Sequence, residues 1–250
     1  MNKLTLILTT SFFLLMSFDI FAQQPIYGDV NGDGEVNISD VNAVIDVILG
    51  GHSEHHYYVD LGLPSGTLWA TCNVGASSPE DFGDYFAWGE VEPKESYLDY
   101  KWGYSYTSLT KYCTKSSYGY NGFVDNKTEL ELEDDAAYIN WGPSWCMPSY
   151  DQFEELLTKC TWTWITRNGV NGELVTGPNG NTIFLPATGF RNFSSSGIID
   201  SGINGSYWLR TLYTDYPNQA YCIYFRSDYL GDSSTGVRDD GFTVRAVRRK

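Results

Sequence analysis

The segment with the sharpest chemistry runs from Gly28 to Gly51, GDVNGDGEVNISDVNAVIDVILGG. Counted from Asp29 as position 1, side-chain oxygens stand at positions 1 (Asp29), 3 (Asn31), 5 (Asp33), 9 (Asn37) and 12 (Asp40). Gly34 holds position 6, where a calcium loop turns sharply, and Glu35 at position 7 offers its backbone carbonyl. Calcium is a hard cation that takes about six to eight oxygens, and alternate loop positions point inward to supply them. Without an ion the three carboxylates would repel one another. The pattern predicts a calcium site of Asp29, Asn31, Asp33, Glu35, Asn37 and Asp40. The alternative, an acidic Gly-Asn turn, would have to match six positions in order by chance.

A helix should leave this loop. Ser39 or Asp40 can cap it, and Val41, Val44, Ile45 and Ile48 recur at helical spacing before Gly50-Gly51 ends it. An EF-hand-like loop with an exit helix and no entering helix resembles one repeat of a type I dockerin. The residues that carry the resemblance are Asp29-Val-Asn31-Gly-Asp33-Gly34 and Asn37-Ile-Ser-Asp40-Val41. Dockerins of that family carry two repeats and dock onto cohesin modules of polysaccharide-degrading assemblies; one repeat is visible here. The apolar stripe Val41/Val44/Ile45/Ile48 therefore needs a cover. The candidates are the large domain, a cohesin-like module, or self-association with another chain.

Other catalytic chemistry is conspicuous by what it lacks. All three histidines, His52, His55 and His56, fall in one short stretch that reads as a linker over 52–56. They could bind a transition metal loosely; the alternative is a solvated connector. Residues 57–250 contain no histidine, which argues against Ser–His–Asp or Cys–His catalysis and against His-ligated zinc. Phosphate-binding loops of Gly-Lys-Ser/Thr type are absent as well. Paired carboxylates for glycoside hydrolysis stay open, the densest set being Glu129, Glu131, Glu133, Asp134 and Asp135. The glutamates alternate with Leu130 and Leu132, which reads as a solvated face. Trp162-Thr-Trp164 puts two indoles on one strand face as a candidate sugar-stacking site, against the alternative that they are core.

These groups sit in a chain of 250 residues with 42% hydrophobic, 19% charged and 16% aromatic residues, which excludes a mostly disordered protein. Its 25 glycines and many Tyr, Thr and Trp favour a β-rich fold. A formal net charge of -15 makes nucleic acid and anionic membranes poor partners, and suits divalent cations and neutral glycans. Residues 1–22 have the layout of a secretory signal: Lys3, an uncharged run from Leu4 to Phe18, then Ala22 before the expected cleavage. That run is shorter than the about 20 residues that span a bilayer, and no later stretch is long enough. The expected location is secreted or on the cell surface, with the periplasm as a possibility. Export permits disulfides, and the five cysteines, Cys72, Cys113, Cys146, Cys160 and Cys222, leave at least one unpaired within the chain.

Residues 57–250 read as one domain. Strands are expected around Val59 and Leu61, at Thr67–Ala70, Leu174–Thr176, Thr182–Leu185 and Gln219–Ser227, with a turn at Pro178-Asn-Gly180. In a last strand Phe242, Val244 and Ala246 should face inward, with Thr243 and Arg245 outward. Two segments read as helical. Ser149 to Cys160 has a capping box at Ser149/Gln152 and a stripe of Phe153, Leu156, Leu157 and Cys160; the other is Asp134–Asn140.

The phrases VDLGLPSGTLWATCNVGA, YFAWGE, TKYCTKSSYG, VDNKTELELEDDAA, INWGPSWCMPS, CTWTW, IFLPATGFR, SYW and GFTVRAVR resemble the Fibrobacter succinogenes major paralogous domain, common in exported proteins of Bacteroidetes-like bacteria. The resemblance covers nearly all of 57–250. It implies an α+β, C-type-lectin-like fold: an irregular antiparallel sheet with two short helices, here behind the small EF-hand-like loop-helix of 27–51. The sequence departs from the pattern at Cys146, where Arg is usual, and at Leu209-Arg210, where Ser-Ser often follows Tyr-Trp. The calcium-dependent sugar motifs of C-type lectins do not occur. Cys72 and Cys160 both lie in phrases that match, and a bond between them would fasten helix to sheet; the alternative is two buried thiols. These readings predict an exported, non-catalytic calcium-binding protein that binds a glycan or a surface protein, with a link to polysaccharide catabolism. The alternatives are a glycan hydrolase or its accessory subunit, and a structural surface protein.

Overall fold

The computed structural model describes residues 56–103, 107–192, 194, 197–231 and 234–249. The expected signal peptide (1–22), the calcium loop and helix (27–51) and His52 and His55 lie outside them. The described part has eleven short strands and two α-helices, an α+β arrangement as expected.

The longer helix, α2 (Tyr150–Lys159), follows directly from its local sequence. The Ser149 hydroxyl accepts from the Gln152 amide and the Gln152 side chain accepts from the Ser149 amide, which closes the capping box. Asp151 in its first turn and Lys159 in its last both suit the helix dipole. Phe153 and Leu156 are buried; Leu157 and Cys160 are half-buried beside them. The shorter helix, α1 (Ala136–Trp141), starts two residues later than the sequence suggests, because Leu132–Asp134 form a 3₁₀ turn. Asp135 caps α1 by accepting from the Tyr138 amide, and its carboxylate also accepts from the Met147 amide at 2.9 Å.

The strands make three sheets among the described residues. β1 (Tyr58–Asp60), β2 (Leu68–Ala70), β11 (Val247–Arg248) and β3 (Trp145–Cys146) form one in that order. β4 (Thr161–Arg167), β5 (Val170–Thr176) and β6 (Thr182–Pro186) form an antiparallel meander. β7 (Asn204–Leu212), β8 (Gln219–Arg226) and β10 (Thr235–Val237) form the third, with β9 (Tyr229–Leu230) paired to β8. The turn between β5 and β6 is the expected one, with Gly180 at φ 89. The turn between β4 and β5 is Asn168-Gly169, both at positive φ, the dipeptide that favours a tight hairpin.

The β7–β8 ladder lies at the centre, with core on both faces. Trp208, Leu212, Ala220 and Cys222 point into one cluster; Tyr207, Leu209, Ile223 and Phe225 point into the other. The C-terminal segment corrects an expectation. Phe242, Val244 and Ala246 are buried as expected, but Thr243 and Arg245 are at 0% exposure and do not face outward. The segment threads the interior and makes single ladder pairings with Phe86 and Tyr207, so neither face meets water. Arg245 tolerates this because its guanidinium donates to Asn73 Oδ1 at 2.8 Å and to the carbonyls of Ala70, Thr71 and Phe184.

Candidate functional site

Acid-rich residues 129–135 come together around a lysine. Lys111 Nζ lies 2.8 Å from Glu131 Oε2, 3.2 Å from Glu133 Oε1 and 2.5 Å from Asp134 Oδ2. Lys101 meets the other oxygen of Asp134, and Lys127 the other oxygen of Glu131. The Tyr112 hydroxyl donates to Asp134 at 2.6 Å and accepts from the Glu131 amide. Trp102 lies under both Lys101 and Lys111, with ring centroids 4.3 and 5.1 Å from the ammonium groups. Burial works against the charge on Lys111, yet the three carboxylates hold its pKa above the ordinary value. Lys111 and Lys127 together bring Glu131 down to about 2. The oxygens of Glu131, Glu133 and Asp134 are close enough to share a cation, and the cation they share is Lys111. A metal would have to displace that ammonium, and nothing frees these acids for proton transfer.

Trp162 and Trp164 do share one face of β4, as their spacing suggests. That face turns toward the core. Both rings are half-buried against Phe225, at 6.2 and 6.3 Å, and the Trp162 indole N–H donates to the Leu156 carbonyl. Across the ladder Trp164 pairs with Glu173, which is 5% exposed. Glu173 Oε2 has no partner, and burial pushes the carboxyl up to about 7.

The sequence reading missed a row of tyrosines. Tyr150 opens α2 and packs on Tyr221 of β8 with centroids 4.4 Å apart; Tyr221 meets Tyr213 at 5.3 Å, and Tyr213 meets Tyr216 at 5.8 Å. Pairing explains the alignment. Tyr221 shares a β8 face with Ile223 and Phe225, which are core, but lies where that face runs out beyond α2. Thr235 pairs directly with Tyr221 and donates to Gln219 Oε1 at 2.7 Å, which places a polar pair beside the rings. Tyr216 is 51% exposed, and Tyr150, Tyr213 and Tyr221 are half-buried. Among the described residues the hydroxyls of Tyr213, Tyr216 and Tyr221 have no hydrogen-bond partner. No spacing rule connects positions 150, 213, 216 and 221. The only local signal was the density of Tyr in LYTDYPNQAY.

The loop that carries Tyr213 and Tyr216 is held from several sides. Tyr216 N–H donates to the Tyr213 carbonyl at 3.2 Å and Gln219 N–H to the Tyr216 carbonyl at 2.8 Å. Thr114 Oγ1 reaches the Thr214 carbonyl, Lys115 Nζ the Asp215 carbonyl, and Arg238 the Pro217 carbonyl. These bonds fix the rings without using their hydroxyls.

Cys72 and Cys160 are free thiols in the structure, as are the other three cysteines. Both are half-buried, and burial pushes the Cys160 thiol up to about 11. Cys146 and Arg210, far apart in sequence, lie close together in the structure. Arg210, which pairs with Glu129 at 2.8 Å, also sets its positive charge near the Cys146 thiol and the Asp135 carboxylate. Asp239 and Asp240 form the remaining acid pair of interest, with burial and the neighbouring Asp239 carrying Asp240 up to about 7. Compared with known proteins, the chain matches no family model, no curated protein and no solved structure.

Proposed function

We propose that this protein is an exported, non-catalytic, calcium-binding protein whose 57–250 region is a lectin-like module that binds a glycan or a protein outside the cell. The observation that carries the reading is the tyrosine row: a pinned aromatic surface that reaches solvent at Tyr216, with the hydroxyls of Tyr213, Tyr216 and Tyr221 unspent among the described residues. The densest acid cluster, by contrast, is neutralised by Lys101, Lys111 and Lys127. Asp29, Asn31, Asp33, Asn37, Asp40 and the Glu35 carbonyl are the proposed calcium ligands, with a dissociation constant on the order of 10⁻⁶ to 10⁻³ M. Calorimetry on the protein with millimolar calcium tests them, and Asp29→Ala should remove the heat while the larger region stays folded.

One observation favours a second reading, a glycan hydrolase. Asp240 is a carboxyl poised near neutrality beside a second acid, as a general acid must be. An array of polysaccharides and surface proteins, with reducing-sugar release measured on the same polysaccharides, separates the two. Binding without release supports the module. Release that disappears in Asp240→Asn establishes the hydrolase.

A further inference from the structure

The row Tyr150, Tyr221, Tyr213, Tyr216 narrows the ligand, on the reading that residues 57–250 form a binding module. We propose that it is the contact surface for a neutral oligosaccharide.

Four observations converge on that class. The first is the chemistry of the surface. Tyrosine presents an apolar ring that suits the C–H faces of a sugar, and a hydroxyl that can exchange hydrogen bonds with sugar hydroxyls. The hydroxyls of Tyr213, Tyr216 and Tyr221 are open for that use among the described residues. The second is scale. The rings touch at centroid distances of 4.4, 5.3 and 5.8 Å with mutual tilts of 42°, 73° and 30°, so they form one small continuous patch rather than a broad face. A stable protein partner would need about 800 Å² on each side, more than a single row of partly covered rings provides.

The third observation is charge. Lys115 and Asp215 flank the exposed end of the row and pair with each other at 3.6 Å, so these two charges offset one another rather than call for a charged sugar. The net charge of -15 repels acidic polysaccharides from the whole molecule. The fourth is rigidity. The bonds from Thr114, Lys115 and Arg238 to the loop carbonyls hold Tyr213 and Tyr216 in place before any ligand arrives. Less ordering entropy is then lost on binding. The Thr235–Gln219 pair, beside Tyr221, supplies further polar groups at the rim.

Calorimetric titration of the full chain tests this. The ligands are short neutral oligomers of β-linked glucose, mannose, xylose and N-acetylglucosamine, with a galacturonate oligomer as the charged comparison. At least one neutral oligomer should bind. Tyr216→Ala should weaken it roughly tenfold, the scale of one stacked ring. The double variant Tyr213→Phe/Tyr216→Phe should weaken it several-fold by loss of the hydroxyls alone. Near-UV circular dichroism should be otherwise preserved, since the Tyr216 ring is half exposed. Undiminished neutral-sugar binding in both Tyr216→Ala and Tyr221→Ala overturns the site and leaves the binding reading standing. Preference for galacturonate, or no heat with any neutral oligomer, overturns the ligand class. The broader binding reading fails only if the array of polysaccharides and surface proteins is blank as well.

Discussion

The interior tyrosines and the tyrosine row use the same side chain in opposite ways. Inside, every hydroxyl is spent: Tyr85 donates to the Thr188 carbonyl, Tyr97 to Tyr85, Tyr100 to Trp88, Tyr112 to Asp134 and Tyr207 to Pro186, at 2.6 to 2.7 Å. Two of them, Tyr100 and Tyr112, also join Trp88 around a buried cation. The Arg238 guanidinium sits over Trp88 at 4.8 Å and near Tyr100 and Tyr112, and donates to the Tyr100 hydroxyl and to the carbonyls of Tyr112, Pro217 and Lys111. At the surface the rings pack on one another, and the hydroxyls of Tyr213, Tyr216 and Tyr221 have no partner among the described residues. A buried hydroxyl without a partner is costly, so the interior fixes each one; a half-exposed hydroxyl carries no such cost and stays free for a ligand. Arg238 links the two regions, because one of its bonds ends on the loop that holds Tyr216.

The largest effect should come from cutting that link. Arg238→Met removes the donor to the Tyr100 hydroxyl and leaves three carbonyls without the bonds it made to them, and should cost about 3–5 kcal/mol in denaturant unfolding. A cost under about 1 kcal/mol would mean the cage is not fastened by its hydrogen bonds.

Glu173 is an exception in the interior, a buried carboxyl with an unspent oxygen. Its pKa is raised from 4.5 to about 7, so the folded state holds a proton that the unfolded chain has released. Stability should therefore be full below pH 4.5, fall as pH rises through the window to about 7, and level off above it. Glu173→Gln removes the charge that burial penalises, and should gain about 2–3 kcal/mol at alkaline pH and little in acid. Thermal melts of both proteins across that range check it; parallel curves would place Glu173 in water.

Two hydroxyl deletions compare the regions directly. Tyr207→Phe leaves the Pro186 carbonyl unpaired and should cost about 1–3 kcal/mol. Tyr216→Phe should change stability by less than about 0.5 kcal/mol, since nothing inside depends on its hydroxyl. Equal costs at the two positions would erase the contrast.

What was legible from the sequence was local. The Ser149/Gln152 capping box and the stripe of Phe153 and Leu156 specify α2 within a dozen residues, and Pro178-Asn-Gly180 marks the turn before β6. The Asn168-Gly169 turn was equally readable, but the strand after it was placed to begin at Leu174, four residues late. Reading Thr243 and Arg245 as outward-facing failed for a different reason. Alternation says which residues share a face, not whether the opposite face meets water, and here both faces are covered. The same limit applied to Trp162 and Trp164: their shared face was visible in the sequence, its direction was not.

Periodicity, caps and turn dipeptides act over a few residues, so the sequence by itself determined the helices, the main hairpin, the acidic character and the calcium-loop pattern of 29–40. Only the tertiary structure decided which polar groups are spent. Lys111 lies some twenty positions from the acids it neutralises, and Tyr150, Tyr213, Tyr216 and Tyr221 meet only because β8 pairs with β7 and α2 packs across them. Burial and hydrogen-bond partnership are properties of contacts between distant segments, and those contacts separate a tyrosine that holds the fold from one that can hold a ligand.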